Sequence, residues 1–448
     1  MTGAGSTWTN SGDLNVGRYG GAGTLTVEAG GQVSNSYGYL GYGSGSSGTA
    51  TVTGAGSTWT NSGDLFVGDV GAGTLTVEAG GQVASSGVAI GFQGTSTGIV
   101  TVDGSGSTCT ATTGDLLVGY DGAGTLAVTG GGQVTTGHCA YVGTTASSTG
   151  GATVEGSGST WTTTGGLYVG GSDVVAGGAG SVAVQNGGHL AVGETLVLWK
   201  ADSEVTANAG TLTAGALEGT TGILRITDPA GGTALTLGSA ASGIYAAALT
   251  DDTGPGSLTK VGTGEQTLAG AGIAYTGATT VLEGLLKLSD TTAFASAITN
   301  DADVEFEATT GTWIFDNALG GAGTFVKNGD GTLVISGPQD YDAGALFEVL
   351  TGTVEMNTAA GAAGDADLSI LVQDAELHFG TNQHLDTLAI GADGLVRLTG
   401  ANVVVVRHLI LDGLDLGATT LTPEPATLAL LAVGGLSLLA CRSRKQAA

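Results

Sequence analysis

Gly-Ser-Thr-Trp-Thr-Asn-Ser-Gly-Asp-Leu occupies residues 5–14 and returns unchanged at residues 56–65. Degenerate copies follow around Cys109 and Trp161, so the steps from Trp8 to Trp59, Cys109 and Trp161 are 51, 50 and 52 residues. A weaker copy sits half a period on: Gly-Thr-Leu-Thr-Val at 23–27 returns as Gly-Thr-Ala-Thr-Val at 48–52, 25 residues later. A fixed period of this size is the signature of a solenoid, in which one repeat buries its apolar face only by stacking on the next. One coil is therefore about 25 residues.

Three strand-like pieces recur in each coil. The first is an apolar residue followed by glycine: Val16, Leu40, Val67, Ile90, Val118, Val142, Val169 and Val192. The second alternates threonine with apolar residues, in the pairs Leu25/Val27, Ala50/Val52, Leu75/Val77, Val100/Val102, Leu126/Val128, Ala152/Val154 and Val182/Val184. The third carries one residue after a Gly-rich turn: Trp8, Val33, Trp59, Val83, Cys109, Val134, Trp161 and Leu190. Alternation with period two points one face inward. Three inward files predict an all-β parallel β-helix with three sheets. About eight coils between residues 1 and 200, stacked about 4.8 Å apart, make a rod roughly 40 Å long. Trp and Val alternate in the third file so that neighbouring coils interdigitate. Gly-Gly pairs such as Gly30-Gly31 and Gly80-Gly81 fit corners of positive φ, and Thr, Ser, Glu28 and Glu78 face solvent.

After residue 200 the 51-residue unit fades but alternation persists, which predicts a less regular solenoid over 201–420. Lys260 and Lys327 hold matching positions in two loose copies, as do Tyr275 and Tyr341. The sequence Asn328-Gly329-Asp330-Gly331 lacks the glutamate of a calcium loop and reads as a tight turn.

Composition narrows the function. Of 448 residues 86 are Gly, and the hydrophobic fraction is 41%. That fraction, rich in Val and Leu, opposes disorder. The net charge of −28 excludes nucleic-acid binding, which needs clustered Lys and Arg. Three cysteines, Cys109, Cys139 and Cys441, make no disulfide framework.

The C-terminus is a different object. Pro423-Glu424-Pro425 precedes an apolar run at 426–441, followed by Arg442, Arg444 and Lys445. The run predicts a single transmembrane helix in segment 421–448. The basic cluster places its end in the cytoplasm, as a membrane stop. The body is then exported.

This tail resembles the PEP-CTERM protein-sorting domain in its Pro-Glu-Pro motif, apolar run and basic end. The resemblance implies recognition by an exosortase-type processing enzyme and removal of the anchor near Pro423, Glu424 and Pro425. It also implies association with exopolysaccharide. Residues 3–193 resemble the repeat shared by type V autotransporter passengers and PEP-CTERM proteins, and residues 257–288 resemble the autotransporter-associated β-strand repeat. Members of these families carry a signal peptide. Residues 1–8 show no basic and apolar leader, so either the start lies upstream of Met1 or the chain is a fragment.

No catalytic residue, cofactor or metal site is expected. Asp13, Asp64 and Asp115 recur at 51 residues, but each sits in a Gly-Asp-Leu turn where Asp caps its own backbone; the fourth copy has Gly166. His138-Cys139 is a lone pair without further ligands, which argues against zinc. The expectation is an exported, envelope-anchored structural or adhesive surface protein associated with extracellular polysaccharide. The alternative is a carbohydrate-active β-helix enzyme, lyase or hydrolase. An autotransporter passenger ranks third, because nothing after residue 200 has the pattern of a membrane barrel.

Overall fold

The computed structural model describes residues 1–228, 234–251, 254–361, 366–422 and 429–431. Two compact units divide the chain. One comprises Met1–Gln266 with Gly272–Gly277, the other Thr267–Ala271 with Ala278–Ala448.

In the first unit the three files become three parallel ladders. Leu25 and Val27 pair with Ala50 and Val52, then with Leu75 and Val77. This face grows to ten parallel strands, from Ala22–Glu28 to Ala248–Thr250. Trp8 pairs with Val33, Val33 with Trp59, and Val83 with Cys109. Val16 pairs with Leu40, Leu40 with Val67, and Val67 with Ile90. The inward residues are sealed: Leu40, Val67, Val77, Trp59 and Trp161 are fully buried.

Polar groups of the Trp file satisfy one another inside. Trp59 Nε1 donates to Asn35 Oδ1 at 2.7 Å, Asn35 Nδ2 to Asn61 Oδ1 at 2.6 Å, and Asn61 Nδ2 to Ser85 Oγ at 2.9 Å. All are buried, so each bond removes a desolvation penalty that an unpaired amide would carry.

The glycine after each apolar residue is a steric requirement. Gly68 has φ +75°, and a Cβ there would lie 2.2 Å from the Thr97 carbonyl oxygen of the next coil. The Gly-Gly corners take positive φ at their first glycine, Gly30 (+81°) and Gly80 (+86°), and also at the alanine before it, Ala29 (+54°) and Ala79 (+52°). Gly81 is needed because a Cβ there would lie 2.2 Å from the Val52 carbonyl.

Val192 also departs from the reading. It pairs with Thr163 in the Trp-file ladder, and Leu198 pairs with Val169. The apolar-Gly signature at 192–193 lies only two residues after Leu190, too soon for a corner. The chain runs on as one strand, His189–Leu198, with a register shift between Val192 and Thr195.

The second unit repeats the scheme with bulkier cores. Val304 pairs with Phe325, Phe325 with Phe347, and Phe347 with Ile370. Another face stacks Thr312–Phe315, Thr332–Ile335, Thr353–Met356, Glu376–Phe379 and Leu395–Leu398 in parallel. Phe306, Phe315, Phe325, Phe347 and Phe379 are fully buried. Asn328 and Gly329 form the expected tight turn, with Gly329 at φ +83° and its N–H donating to Asn328 Oδ1 at 2.8 Å. The matched lysines behave alike. Lys260 Nζ donates to the carbonyls of Val261 and Gly262, and Lys327 Nζ to those of Asn328 and Gly329. Both side chains are buried.

Of the segment expected to form a membrane helix, 426–441, only Ala429–Leu431 lies among the described residues. These form a short strand antiparallel to Leu395–Leu398. Among the described residues no helix is long and apolar enough to cross a membrane.

Candidate functional site

Each strand of the Val-Gly ladder presents its middle residue outward. In register, those residues run Asn15, Tyr39, Phe66, Ala89, Leu117, Tyr141, Tyr168. The residue after the positive-φ glycine joins the same face, which adds Tyr42, Phe92 and Tyr120. A continuous run of rings results. Tyr39 and Phe66 stack with centroids 5.0 Å apart, Phe66 meets Phe92 edge-on at 5.0 Å, and Phe92 stacks on Tyr120 at 5.1 Å. Tyr19, Tyr42 and Tyr39 extend it at the other end. The spacing follows from coils stacked about 4.8 Å apart.

Polar groups edge these rings. Beside Tyr39, Tyr42, Phe66 and Phe92 lies an open groove of about 440 Å³ that also exposes Gln93 to solvent. Gln93 Nε2 donates to Asp69 Oδ1 at 3.0 Å. Burial raises the Asp69 carboxyl above its ordinary range, a rise the Gln93 bond opposes. Next along, past Phe92 and Tyr120, stands Asp121. It accepts from the Thr145 and Ser147 hydroxyls at 2.7 and 2.9 Å and from the Gly94 N–H at 3.1 Å, and these bonds lower its carboxyl. Arg18, the one Lys or Arg between residues 1 and 199, lies 4.3 Å over the Tyr19 ring. The sequence reading missed this face. Its signal was an aromatic residue between two inward apolar ones, as in Gly38-Tyr39-Leu40 and Leu65-Phe66-Val67.

Two of the recurring aspartates, Asp64 and Asp115, reach to the next coil rather than capping their own turns. Asp64 Oδ1 accepts the Gly87 N–H of the next coil at 2.9 Å. Asp115 Oδ1 accepts the Cys139 N–H at 3.2 Å and lies 2.6 Å from His138 Nδ1. That hydrogen bond, more than the charge of Asp115, raises the His138 imidazole. The structure therefore gives His138-Cys139 a third partner that the spacing concealed. Cys109 is buried in the Trp file, and burial alone pushes its thiol up to about 12.

In the second unit Lys287 Nζ lies 3.2 Å from Glu305 and 2.8 Å from Glu307. Bonds from Lys287 and Ser289 lower the Glu307 carboxyl, so it is no proton donor near neutrality. The tail residues Pro423, Glu424, Pro425, Arg442, Arg444 and Lys445 lie outside the described residues.

Comparison with known proteins places the tail. Residues 421–445 match the PEP-CTERM protein-sorting motif. The motif is a signal read by an exosortase, and it marks an exported protein associated with the cell envelope. No curated protein matches the chain. Among solved structures, the crystal structure of a TibC-catalysed, hyper-glycosylated TibA fragment is similar at 15% identity. It covers 89% of this chain and 99% of that one, with a TM-score of 0.31. At that score the likeness adds nothing to the argument.

Proposed function

We propose that the chain is a non-catalytic structural or adhesive protein of the cell surface, and that the aromatic face of its first unit contacts neutral polysaccharide of the extracellular matrix. The observation that carries this reading is the ring run from Tyr19 to Tyr120, edged by Asp69, Gln93 and Asp121. Aromatic area beside carboxylate, carboxamide and hydroxyl groups suits a ligand with apolar C–H faces and many hydroxyls. The net charge of −28 repels polyanions. In this reading Pro423, Glu424 and Pro425 are read by the exosortase. The apolar run spans the membrane, and Arg442, Arg444 and Lys445 hold its end in the cytoplasm until cleavage. The resemblance of the tail to sorting domains of exopolysaccharide-producing envelopes supports the same assignment.

Affinity electrophoresis of the full chain in gels containing a soluble neutral β-glucan tests the reading. Retardation is expected, and the double substitution Phe66→Ala, Phe92→Ala should abolish it. Equal retardation of the two proteins would remove the aromatic face as the contact.

One observation favours the enzymatic alternative: Asp69 and Asp121 share a face and their carboxyls shift in opposite directions, a pattern found in acid–base pairs. Asp121, however, already accepts three hydrogen bonds, which hold it as a structural anion. Release of reducing ends from the glucan by the wild-type chain, lost in Asp69→Asn, would reverse the assignment.

A further inference from the structure

We propose that Asp115, His138 and Cys139 form a site for one transition-metal dication of the zinc class. A carboxylate oxygen, an imidazole nitrogen and a thiol sulfur lie within 4.8 Å of one another. They come from two stacked coils. Leu116 pairs with Ala140, so Asp115 and Cys139, each one residue earlier, sit one above the other. The Cys139 N–H bond to Asp115 locks that alignment.

The next coil keeps the site open. Ala140 pairs with Leu167, which puts Gly165-Gly166 over His138-Cys139. A methyl group on Gly165 would come within 2.9 Å of Cys139 Sγ. Beyond the two glycines the following coil brings Glu194, whose backbone N–H donates to the Gly165 carbonyl at 3.3 Å, so its negative charge lies on that side of the site.

The donor set selects the ion. A thiolate with an imidazole suits Zn²⁺ and disfavours Ca²⁺ or Mg²⁺, which take oxygen ligands. Three protein ligands with an open position is a familiar zinc arrangement. The grouping is not a by-product of the repeat. At the equivalent corners Asp13 stands beside Tyr37, and Asp64 beside Gly87, where no imidazole or thiol follows. The chain's negative charge also concentrates cations.

Equilibrium dialysis of the full chain against Zn²⁺ alone should find one tightly held ion. Cys139→Ser and His138→Ala should each weaken it at least about tenfold, on the scale by which even supporting groups tune metal affinity, and Glu194→Gln should weaken it less. Circular dichroism checks that the variants fold. Co²⁺ should give a thiolate-to-cobalt charge-transfer band that Cys139→Ser removes. A second measurement avoids these substitutions. In a Cys441→Ser chain, Zn²⁺ should slow alkylation of Cys139 while Cys109 stays buried. Zinc binding that is unaffected by Cys139→Ser, or an alkylation rate unchanged by zinc, would overturn the site and leave only diffuse attraction to an acidic surface.

Discussion

Trp8 and Trp59 occupy the same place in identical decapeptides, yet Trp8 is 42% exposed and Trp59 is fully buried. Replacing each by alanine therefore separates sequence from position. At Trp59 the lost side chain leaves a cavity costing about 3–5 kcal/mol. It also orphans the buried Asn35 Oδ1, which costs about 1–3 kcal/mol more, though the two losses share neighbours and do not simply add. At Trp8 the loss should stay near 1 kcal/mol or below, as for other half-exposed positions. Trp59→Phe keeps one ring of the packing but loses the N–H and the volume of the second ring, so it should cost less than Trp59→Ala yet more than about 1 kcal/mol. Solenoid stability is set by nearest neighbours, so the effect spreads over adjacent coils and fades beyond them. Native-state hydrogen exchange read at Val33 and Val83 should report the destabilisation locally. Equal exchange in Trp8→Ala and Trp59→Ala would refute the argument, as would a Trp59→Phe protein as stable as wild type.

Three further outcomes are expected. Gly68→Ala forces a Cβ against the Thr97 carbonyl, whereas Gly5→Ala meets nothing within 4 Å at a similar φ of +82°. The former should lower the melting temperature sharply. The latter should cost only the backbone strain of about 1–2 kcal/mol, so similar melting of the two would contradict the tight approach of coils. Cys109 should resist alkylation in the native chain at pH 8 and react after denaturation, since burial holds its thiol up to about 12; native labelling would place it outside the core. Burial pushes the Lys327 ammonium down to about 8, partly offset by Asp330. The unfolded lysine titrates near 10.4. Between those values the unfolded chain binds the extra proton, so stability rises with pH. Chemical denaturation from pH 8 to 9.5 should show this gain, and Lys327→Met should remove it. A flat profile in the wild-type protein would mean that the carbonyls around Lys327 hold its charge in full.

The regular files were legible because a parallel solenoid makes tertiary contacts out of a sequence period. Val16, Leu40 and Val67 stack because they recur once per coil. The equivalence of Lys260 and Lys327 was legible for the same reason, and each bonds the two carbonyls that follow it. Val192 was misplaced because an apolar-Gly step resembles a corner only if spacing is ignored; Leu198, eight residues after Leu190, keeps the spacing. The corner glycines were legible at Gly30 and Gly80, whose φ is positive; the need for Gly81, set by the close Val52 carbonyl of the neighbouring coil, was not.

What the sequence alone determined is the coil: its period, its inward files, its Thr-rich flanks and its sorting tail. These follow from hydrophobic periodicity and composition, which are local. What only the tertiary structure decided is which outward side chains meet. The ring run of Tyr39, Phe66, Phe92 and Tyr120, and the grouping of Asp115 with His138 and Cys139, join residues more than 20 positions apart. Outward positions carry no burial signal in the sequence. Their partners are set by the register of one coil on the next, and one residue of slip would turn them to the other face.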